Sequence, residues 1–206
     1  MKIYWFKAQA PRRVVALAKH LGIEAKFVWL DVAKGGLQAP DYKTLNPNMK
    51  APTLVDGELV LWESSAIMAH LCIKAGSEMW PASKPAEQVE LLRWLSWNEG
   101  HWSPVVGQFY FEYVIKPKFK MGPPNLDKLE AKRPELEKFA GVLNTHLAGR
   151  HHIAFDRLTI ADFSLASMAC HWREADMRLE QFSNIVAWLD SLDKLPAWAE
   201  PWPADA

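Results

Sequence analysis

The sequence predicts a small α/β domain followed by an all-α domain. Three observations support this division. Strand and helix patterns alternate at the start of the chain, the proline-containing segment "GSEMWPASKPAEQ" then interrupts them, and only helical patterns follow. We therefore expect a first domain over residues 1–77, a linker over about 78–87 and a helical domain over 88–206.

The first domain is predicted to begin with a strand, a helix and a second strand. Lys2 to Phe6 is a short run of β-branched and aromatic residues, which is typical of a strand. Pro11 suits the first turn of a helix, and Gly22 suits its end. Lys26 to Asp31 forms the second strand, and a single crossover helix requires the two strands to be parallel.

A polar loop, a hairpin and a helix complete the first domain. The loop contains several glycine and proline breakers. Two β runs then flank Asp56-Gly57, which is a strong hairpin signal. From Ser64 onward, apolar residues recur at helical spacing and predict a helix.

The second domain is predicted to contain helices alone. Ala86 to about Lys116 carries apolar residues at helical intervals, and we expect Gly100 and Pro104 to bend this helix. A charged amphipathic helix, a buried helix in "RLTIADFSLASMACHW" and a surface helix in "NIVAWLDSLDKLP" follow. Thr159 and Asp162 have the spacing of a capping box, so we expect them to stabilise the start of the buried helix.

The composition excludes several classes of function. Lys+Arg and Asp+Glu both number 24, so the chain lacks the basic surplus that nucleic-acid and membrane-surface proteins use. No apolar run approaches the roughly 20 residues that span a bilayer. Cys72 and Cys170 are far apart and each lies in an apolar helical pattern, which predicts two buried thiols and a cytoplasmic protein. The histidines show no metal-ligand spacing, so no metal site is expected.

Glu63 and Ser64 lie where a predicted strand ends and a predicted helix begins, a position that can bind a charged ligand. The first amides of a helix and a serine hydroxyl together bind anions such as carboxylates. Glu63 beside them can accept a hydrogen bond from an ammonium group, so the pair fits an amino-acid head group. The structural alternative is that Ser64 caps its own helix.

Lys50, Ala51 and Pro52 form a second candidate binding element. Pro52 opens a strand, and a cis Ala51–Pro52 bond would turn the Ala51 backbone outward to pair with an extended peptide ligand. Lys50 can meet a ligand carboxylate, although a single lysine is more often a solvated charge.

The order of elements, together with "NPNMKAPTLVDGELVLWESSAI" and "LTIAD", resembles the soluble glutathione transferase family over nearly the whole chain. The resemblance implies a thioredoxin-like first domain, a cis-proline at Pro52, a homodimer and a bacterial-like detoxification enzyme with glutathione as co-substrate. It implies contacts from Glu63 and Ser64 to the γ-glutamyl end of glutathione and from the Ala51 backbone to its cysteinyl part. It also places Lys50 near the glycyl end and a polar contact near Gln38.

The family's activating residue is missing. In this family a tyrosine in the first strand, or a serine or cysteine in the next loop, ionises the glutathione thiol. The corresponding positions are Trp5, Ala8 or Gln9, and Ala10, and none carries a hydroxyl or thiol. The Gln9 side chain and the amides at the start of the first helix are the remaining candidate donors. The sequence therefore leaves the catalytic group open, with Gln9 as the candidate.

Conjugation of glutathione to a hydrophobic electrophile is the function that the resemblance favours. Trp5, Trp102 and Phe109 are the candidates for an apolar wall and Glu99 for a polar contact, with core packing as the alternative for the aromatic residues. Two other functions stay open: a glutathione-dependent peroxidase or disulfide reductase, and a non-catalytic binding module with the same fold.

Overall fold

A four-stranded mixed sheet forms the centre of the first part of the chain in the computed structural model, which describes residues 1–203. The strands are β1 (Lys2–Trp5), β2 (Lys26–Trp29), β3 (Thr53–Asp56) and β4 (Leu59–Trp62), in the spatial order β2-β1-β3-β4. β1 and β2 are parallel, whereas β3 is antiparallel to both β1 and β4. The predicted parallel pair and the hairpin around Asp56-Gly57 are therefore confirmed.

Three helices accompany the sheet: α1 (Gln9–His20), α2 (Pro40–Leu45) and α3 (Ser64–Ala75). α1 forms because its apolar residues recur on one face, and it stops before Gly22, which adopts a φ of 64°. α2 lies within the segment that was predicted to be loop. Pro40 is the first residue of α2, and proline favours this position, so it was the overlooked sequence signal for a helix.

The second part of the chain is helical, as predicted. Its helices are α4 (Pro85–Trp97), α5 (Ser103–Tyr110), α6 (Lys116–Lys118), α7 (Leu126–His146), α8 (Ile160–Ala169) and α9 (Ser183–Leu192). A π-helical segment, Asn98–Trp102, joins α4 to α5 and contains Gly100. The helix is therefore wider at this glycine, whereas the bend expected at Gly100 and Pro104 stays a prediction.

A buried capping box begins α8. The Asp162 carboxylate accepts hydrogen bonds from the Thr159 N–H at 2.9 Å and from the Thr159 hydroxyl at 3.1 Å. It also accepts from the Ile153 N–H at 2.9 Å and from the Trp188 indole N–H at 3.0 Å. Burial raises the pKa of the Asp162 carboxyl, whereas these hydrogen bonds act in the opposite direction. One side chain thus joins the start of α8 to a preceding loop and to α9.

The chain divides into two compact units that differ from the predicted domains at the C-terminal side. The second unit covers Ala86–Leu192, and the segment from Asp193 groups with the first unit, which begins at Met1 and continues to Pro85. The prediction instead placed residues 88–206 in one domain, because the surface helix in "NIVAWLDSLDKLP" gave no sign that the chain after it joins the first unit. Positions 204–206 of that predicted domain lie outside the described residues.

The returning segment contains a short helix, α10 (Pro196–Ala199), which packs on α1. The Arg12 guanidinium donates to the Trp198 carbonyl at 2.9 Å and lies 4.3 Å from the centre of the Trp198 ring. Lys19 donates to the Glu200 carbonyl at 2.6 Å. Long side chains of α1 thus hold the main chain of the segment, a contact that local sequence patterns do not reveal.

Candidate functional site

One edge of the sheet collects most of the predicted glutathione contacts. Tyr4 pairs with Thr53, and Thr53 pairs with Trp62, so the end of β1, the start of β3 and the end of β4 lie side by side. When this register is continued by one residue, Pro52 lies beside Glu63. α1 follows β1 directly and α3 follows β4 directly, so both helices begin close to this edge. The two binding elements that the sequence predicted separately are therefore neighbours.

Glu63 and Ser64 do not have the geometry of a simple helix cap. Glu63, not Ser64, is the N-cap residue of α3, and its side chain makes no capping hydrogen bond. Glu63 has a φ of 70°, a region that costs a non-glycine residue about 1–3 kcal/mol and is often found at functional sites. Ser64 is the first helical residue and is only 4% exposed. The structural alternative for Ser64, a hydroxyl that caps its own helix, is therefore not what the structure has.

The Ala51–Pro52 peptide bond is cis, and the side chains of Tyr42 and Asn46 hold the loop before it. Tyr42 donates to the Lys50 carbonyl at 2.6 Å, and the Asn46 amide donates to the same carbonyl at 2.8 Å. Burial raises the pKa of Tyr42, so its hydroxyl stays protonated at neutral pH and remains a donor. With the Lys50 carbonyl fixed, the half-buried Ala51 lies ahead of the first paired residue of β3.

Tyr42 and Asn46 are supporting residues that the sequence analysis missed. Both also contact the Thr53 hydroxyl, at 2.8 Å and 3.0 Å respectively. The Asn46 side-chain oxygen in turn accepts from the Asn48 N–H at 3.0 Å, which is an Asx turn. The "NPN" sequence was the available signal for this turn, whereas nothing local indicates the partner tyrosine on α2.

The start of α1 is the candidate place for thiol activation. Gln9 is its first residue and is 6% exposed, and the preceding Ala8 is extended and offers no capping side chain. The first amides of any helix lack an intrahelical acceptor, and Pro11 contributes none, which leaves those of Gln9 and Ala10. The first turn of α1 contains no acidic residue that would oppose a thiolate. The Arg12 guanidinium, in the same turn, donates to the Trp198 carbonyl of the returning segment.

Lys50 and Gln38, predicted near the glycyl end of glutathione, are both exposed. Lys50 directly precedes Ala51 and so lies next to the sheet edge. Gln38 lies in the connection ahead of α2, where its N–H donates to the Gly35 carbonyl at 2.9 Å. The register of the sheet therefore brings Lys50 together with Ala51, Pro52, Glu63 and Ser64, but does not by itself bring in Gln38.

The predicted apolar wall requires a correction, beginning with Trp5. This side chain is 2% exposed, stacks on Trp202 at a centroid distance of 5.3 Å and meets the edge of Trp29 at 5.0 Å. Trp5 alternates with Tyr4, which packs against Tyr42 at 5.7 Å, as the strand period predicts. Trp5 thus fills a packing position and presents almost no surface to a ligand.

Trp102 and Phe109 are also core residues, at 0% exposure each. The Trp102 indole N–H donates to the Leu165 carbonyl at 3.2 Å, and the Phe109 ring lies 5.1 Å from the Arg133 guanidinium. Both therefore follow the core-packing alternative, because aromatic residues at helical spacing face the interior of the helical unit. Glu99, the predicted polar contact, is exposed in the π-helical segment.

Residues 1–203 contain neither a membrane-spanning helix nor a cluster of metal-binding side chains. None of their helices is long and apolar enough to cross a membrane. In the same part of the chain, no group of three or more histidine, cysteine, aspartate or glutamate side chains is arranged to hold a metal ion.

Comparison with known proteins agrees with this fold. The family model of the glutathione S-transferase N-terminal domain matches residues 2–72, and that of the glutathione S-transferase C-terminal domain matches residues 102–196. The probable glutathione S-transferase GSTF2 of Oryza sativa subsp. japonica is 29% identical over 187 residues, which cover 90% of this chain and 87% of that protein.

Solved structures give the same result. A glutathione S-transferase III in its apo form superposes with a TM-score of 0.84 at 27% identity, covering 97% of this chain and 94% of the other. A glutathione transferase from Pseudomonas putida, solved with one glutathione disulfide per subunit, has a TM-score of 0.86 at 21% identity, covering 100% of this chain and 91% of the other. The two family models together match most of the sequence and each falls on the unit with the corresponding architecture, so this chain belongs to the glutathione S-transferase family.

Proposed function

We propose that this chain is a glutathione transferase that conjugates glutathione to a hydrophobic electrophile. One observation carries the proposal. At one edge of the sheet, the unpaired start of a strand at Ala51–Pro52 lies next to the start of a helix at Glu63–Ser64. A tripeptide with an amino-acid head group needs both elements at once. One element pairs with its main chain, and the other holds its charged end.

The mode of binding follows from the chemistry of each group. The γ-glutamyl carboxylate is bound by the Ser64 hydroxyl and the first amides of α3, and the exposed Glu63 carboxylate accepts from its ammonium group. The Ala51 backbone pairs with the cysteinyl residue. Lys50 neutralises the glycyl carboxylate, with Gln38 as a further polar contact. Glu99 is proposed as a polar contact of the electrophile, and the apolar residues that receive the electrophile remain to be identified.

Activation of the thiol is assigned to the start of α1. A thiol of pKa about 8.5 needs roughly 2.7 kcal/mol of preference for the thiolate to lower that pKa by two units. A hydrogen bond to a charged sulfur contributes about 1.5–3 kcal/mol, and a helix N-terminus about 0.3–2 kcal/mol. The amides of Gln9 and Ala10, or the Gln9 side chain, are therefore sufficient in magnitude without a hydroxyl group.

Binding is tested by calorimetry with glutathione. Ser64→Ala and Glu63→Ala are expected to weaken the Kd by about 10- to 100-fold, which corresponds to the loss of one hydrogen bond to a charged group. Ser83→Ala and Glu58→Ala, at exposed positions of the same unit, are the matched controls and should leave the Kd unchanged. Absence of heat at millimolar glutathione with the wild-type protein would contradict the proposal and favour a non-catalytic module.

The reaction class is tested next. Turnover of a model aryl halide supports conjugation, whereas turnover of a hydroperoxide or a small disulfide without conjugation would identify a peroxidase or reductase. We also propose that the protein is a cytoplasmic homodimer, as is typical of the family. Analytical ultracentrifugation checks the homodimer, since a monomer at micromolar concentration would contradict it.

A further inference from the structure

A cysteine, a histidine and a glutamate lie together just after α8, outside the proposed glutathione site. The His171 imidazole contacts the Cys170 sulfur through a hydrogen bond, and its Nδ1 atom lies 3.0 Å from Glu174 Oε2. The Cys170 thiol also donates to the Ser167 carbonyl at 3.5 Å. A nucleophile next to a base that a third group orients is the general arrangement of an activated nucleophile.

The turn that carries these residues is fixed by its own backbone. The Ala175 N–H donates to the His171 carbonyl at 2.9 Å, and the Met177 N–H donates to the Trp172 carbonyl at 3.0 Å. Trp172, Ala175 and Met177 are all buried, so the turn is anchored in the core on one side. On the other side His171 stays 32% exposed, and the Tyr110 ring covers part of it at 5.3 Å. The arrangement is therefore preorganised and open to solvent.

Electrostatics favour proton transfer within this group. The hydrogen bond with Cys170 raises the pKa of His171 and Glu174 adds to the increase, although partial burial acts in the opposite direction. An imidazole with a raised pKa is a stronger base, so His171 is suited to accept the proton of the neighbouring thiol.

The other cysteine provides an internal contrast. Cys72 is buried in α3, and burial raises the pKa of its thiol to about 12. The sequence predicted two buried thiols, and this is correct for Cys72 alone. Cys170 is half-buried because α8 ends at Ala169, one residue before it. The two thiols therefore differ in both access and acid–base partners.

We propose that Cys170 is a reversible modification site that forms a mixed disulfide with glutathione. The imidazole of His171 takes the thiol proton, and the Cys170 Sγ attacks one sulfur of glutathione disulfide. The S–S bond of that disulfide breaks as the new S–S bond to Cys170 forms, and the leaving glutathione thiolate receives the proton from His171. One glutathione is released, and Glu174 acts as a positioning residue for His171.

Glutathione disulfide is chosen as the co-reactant because it is a small disulfide that can reach the half-buried Cys170 thiol. The charges of the turn offset one another, because His171 lies 3.0 Å from the Glu174 carboxylate and Arg173 lies 3.7 Å from the Asp190 carboxylate. This choice of disulfide rests on the proposed function, in which glutathione is the ligand of the protein. The reactivity of the thiol does not rest on it.

The experiment incubates the full-length protein with glutathione disulfide and follows its intact mass. Wild type and Cys72→Ser should gain one glutathionyl group that dithiothreitol removes, and Cys170→Ser should gain none. Peptide mapping of the wild-type adduct locates the site even if Cys170→Ser folds poorly. His171→Gln should slow the reaction by roughly a hundredfold, the lower end of the range for loss of a general base. Glu174→Gln should slow it several-fold, with Glu174→Asp restoring most of the rate as a rescue of the positioning role.

Three outcomes would overturn the inference: an unmodified wild type, an adduct mapped away from Cys170, or a His171→Gln variant that reacts at the wild-type rate. Hydroxyethyl disulfide, an uncharged reagent, is tested in parallel. Reaction with it and not with glutathione disulfide would overturn the assignment of glutathione as partner. Calorimetric binding in Ser64→Ala is scored separately. Loss of binding there with unchanged Cys170 modification would show that the two sites are independent, so failure of one proposal does not imply failure of the other.

Discussion

Removal of the buried Asp162 carboxylate should cost the protein a large part of its stability. In Asp162→Ala, the N–H groups of Ile153, Thr159 and Trp188 lose their acceptor in positions that water does not reach. Each such donor costs about 1–3 kcal/mol, and the lost cap of α8 costs about a further 1 kcal/mol. The free energy of unfolding should therefore fall by more than about 3 kcal/mol. For a chain of this length this corresponds to a decrease in Tm of at least about 6–12 °C.

Urea titration followed by circular dichroism, with scanning calorimetry, measures this loss. Asp190→Ala is the matched control, because Asp190 is a half-exposed carboxylate on α9 whose guanidinium partner, Arg173, is 3.7 Å away. It should change the stability by no more than about 1 kcal/mol. Asp162→Asn, which keeps one acceptor oxygen, should lie between the two. An Asp162→Ala variant within 1 kcal/mol of the wild type would refute the reasoning, because the stranded donors would then have found other partners.

Two further predictions concern a buried ion pair and the start of α1. Lys116, 2.5 Å away, and the Asn125 N–H lower the pKa of Glu112 in the folded protein. The ionised carboxylate therefore stabilises the fold at any pH above the pKa of Glu112 in the unfolded chain. This stabilisation is lost as the pH falls through the lower pKa of the folded state. The stability difference between wild type and Glu112→Gln should therefore shrink below pH about 4.5 in urea titrations, and a constant difference would contradict this. Gln9→Ala should raise the pKa of the bound glutathione thiol by about one unit if the side chain donates to sulfur. An unchanged thiolate absorbance titration would exclude the side chain and leave the amides of α1.

Local patterns were sufficient for the elements that build the candidate site. Asp56-Gly57 predicted the hairpin, and the hairpin register is what places Pro52 beside Glu63. The spacing of Thr159 and Asp162 predicted the capping box, because a cap is formed by residues that are close in sequence. Glu63 and Ser64 were correctly located, but their division into a cap residue and a first helical residue depends on the φ of 70°, which no sequence pattern specifies.

Most of the predictions that were wrong depended on contacts between distant residues. Helical spacing shows that Trp102 and Phe109 share a face, but not whether that face meets a cavity or the core. Cys170 was expected to be buried because the apolar pattern continues past it, whereas the helix ends at Ala169. The return of Trp198 to Arg12 joins residues at opposite ends of the chain, and only the folded structure brings them together.

That return has a consequence for biosynthesis. During synthesis Trp5 and Arg12 emerge well before residues 198–202, whose aromatic rings cover them. The thioredoxin-like part must therefore wait, with an uncovered tryptophan and an uncovered guanidinium, until residues 198–202 have been made. Nascent chains arrested before Trp198 should be better substrates for chaperones than the released protein.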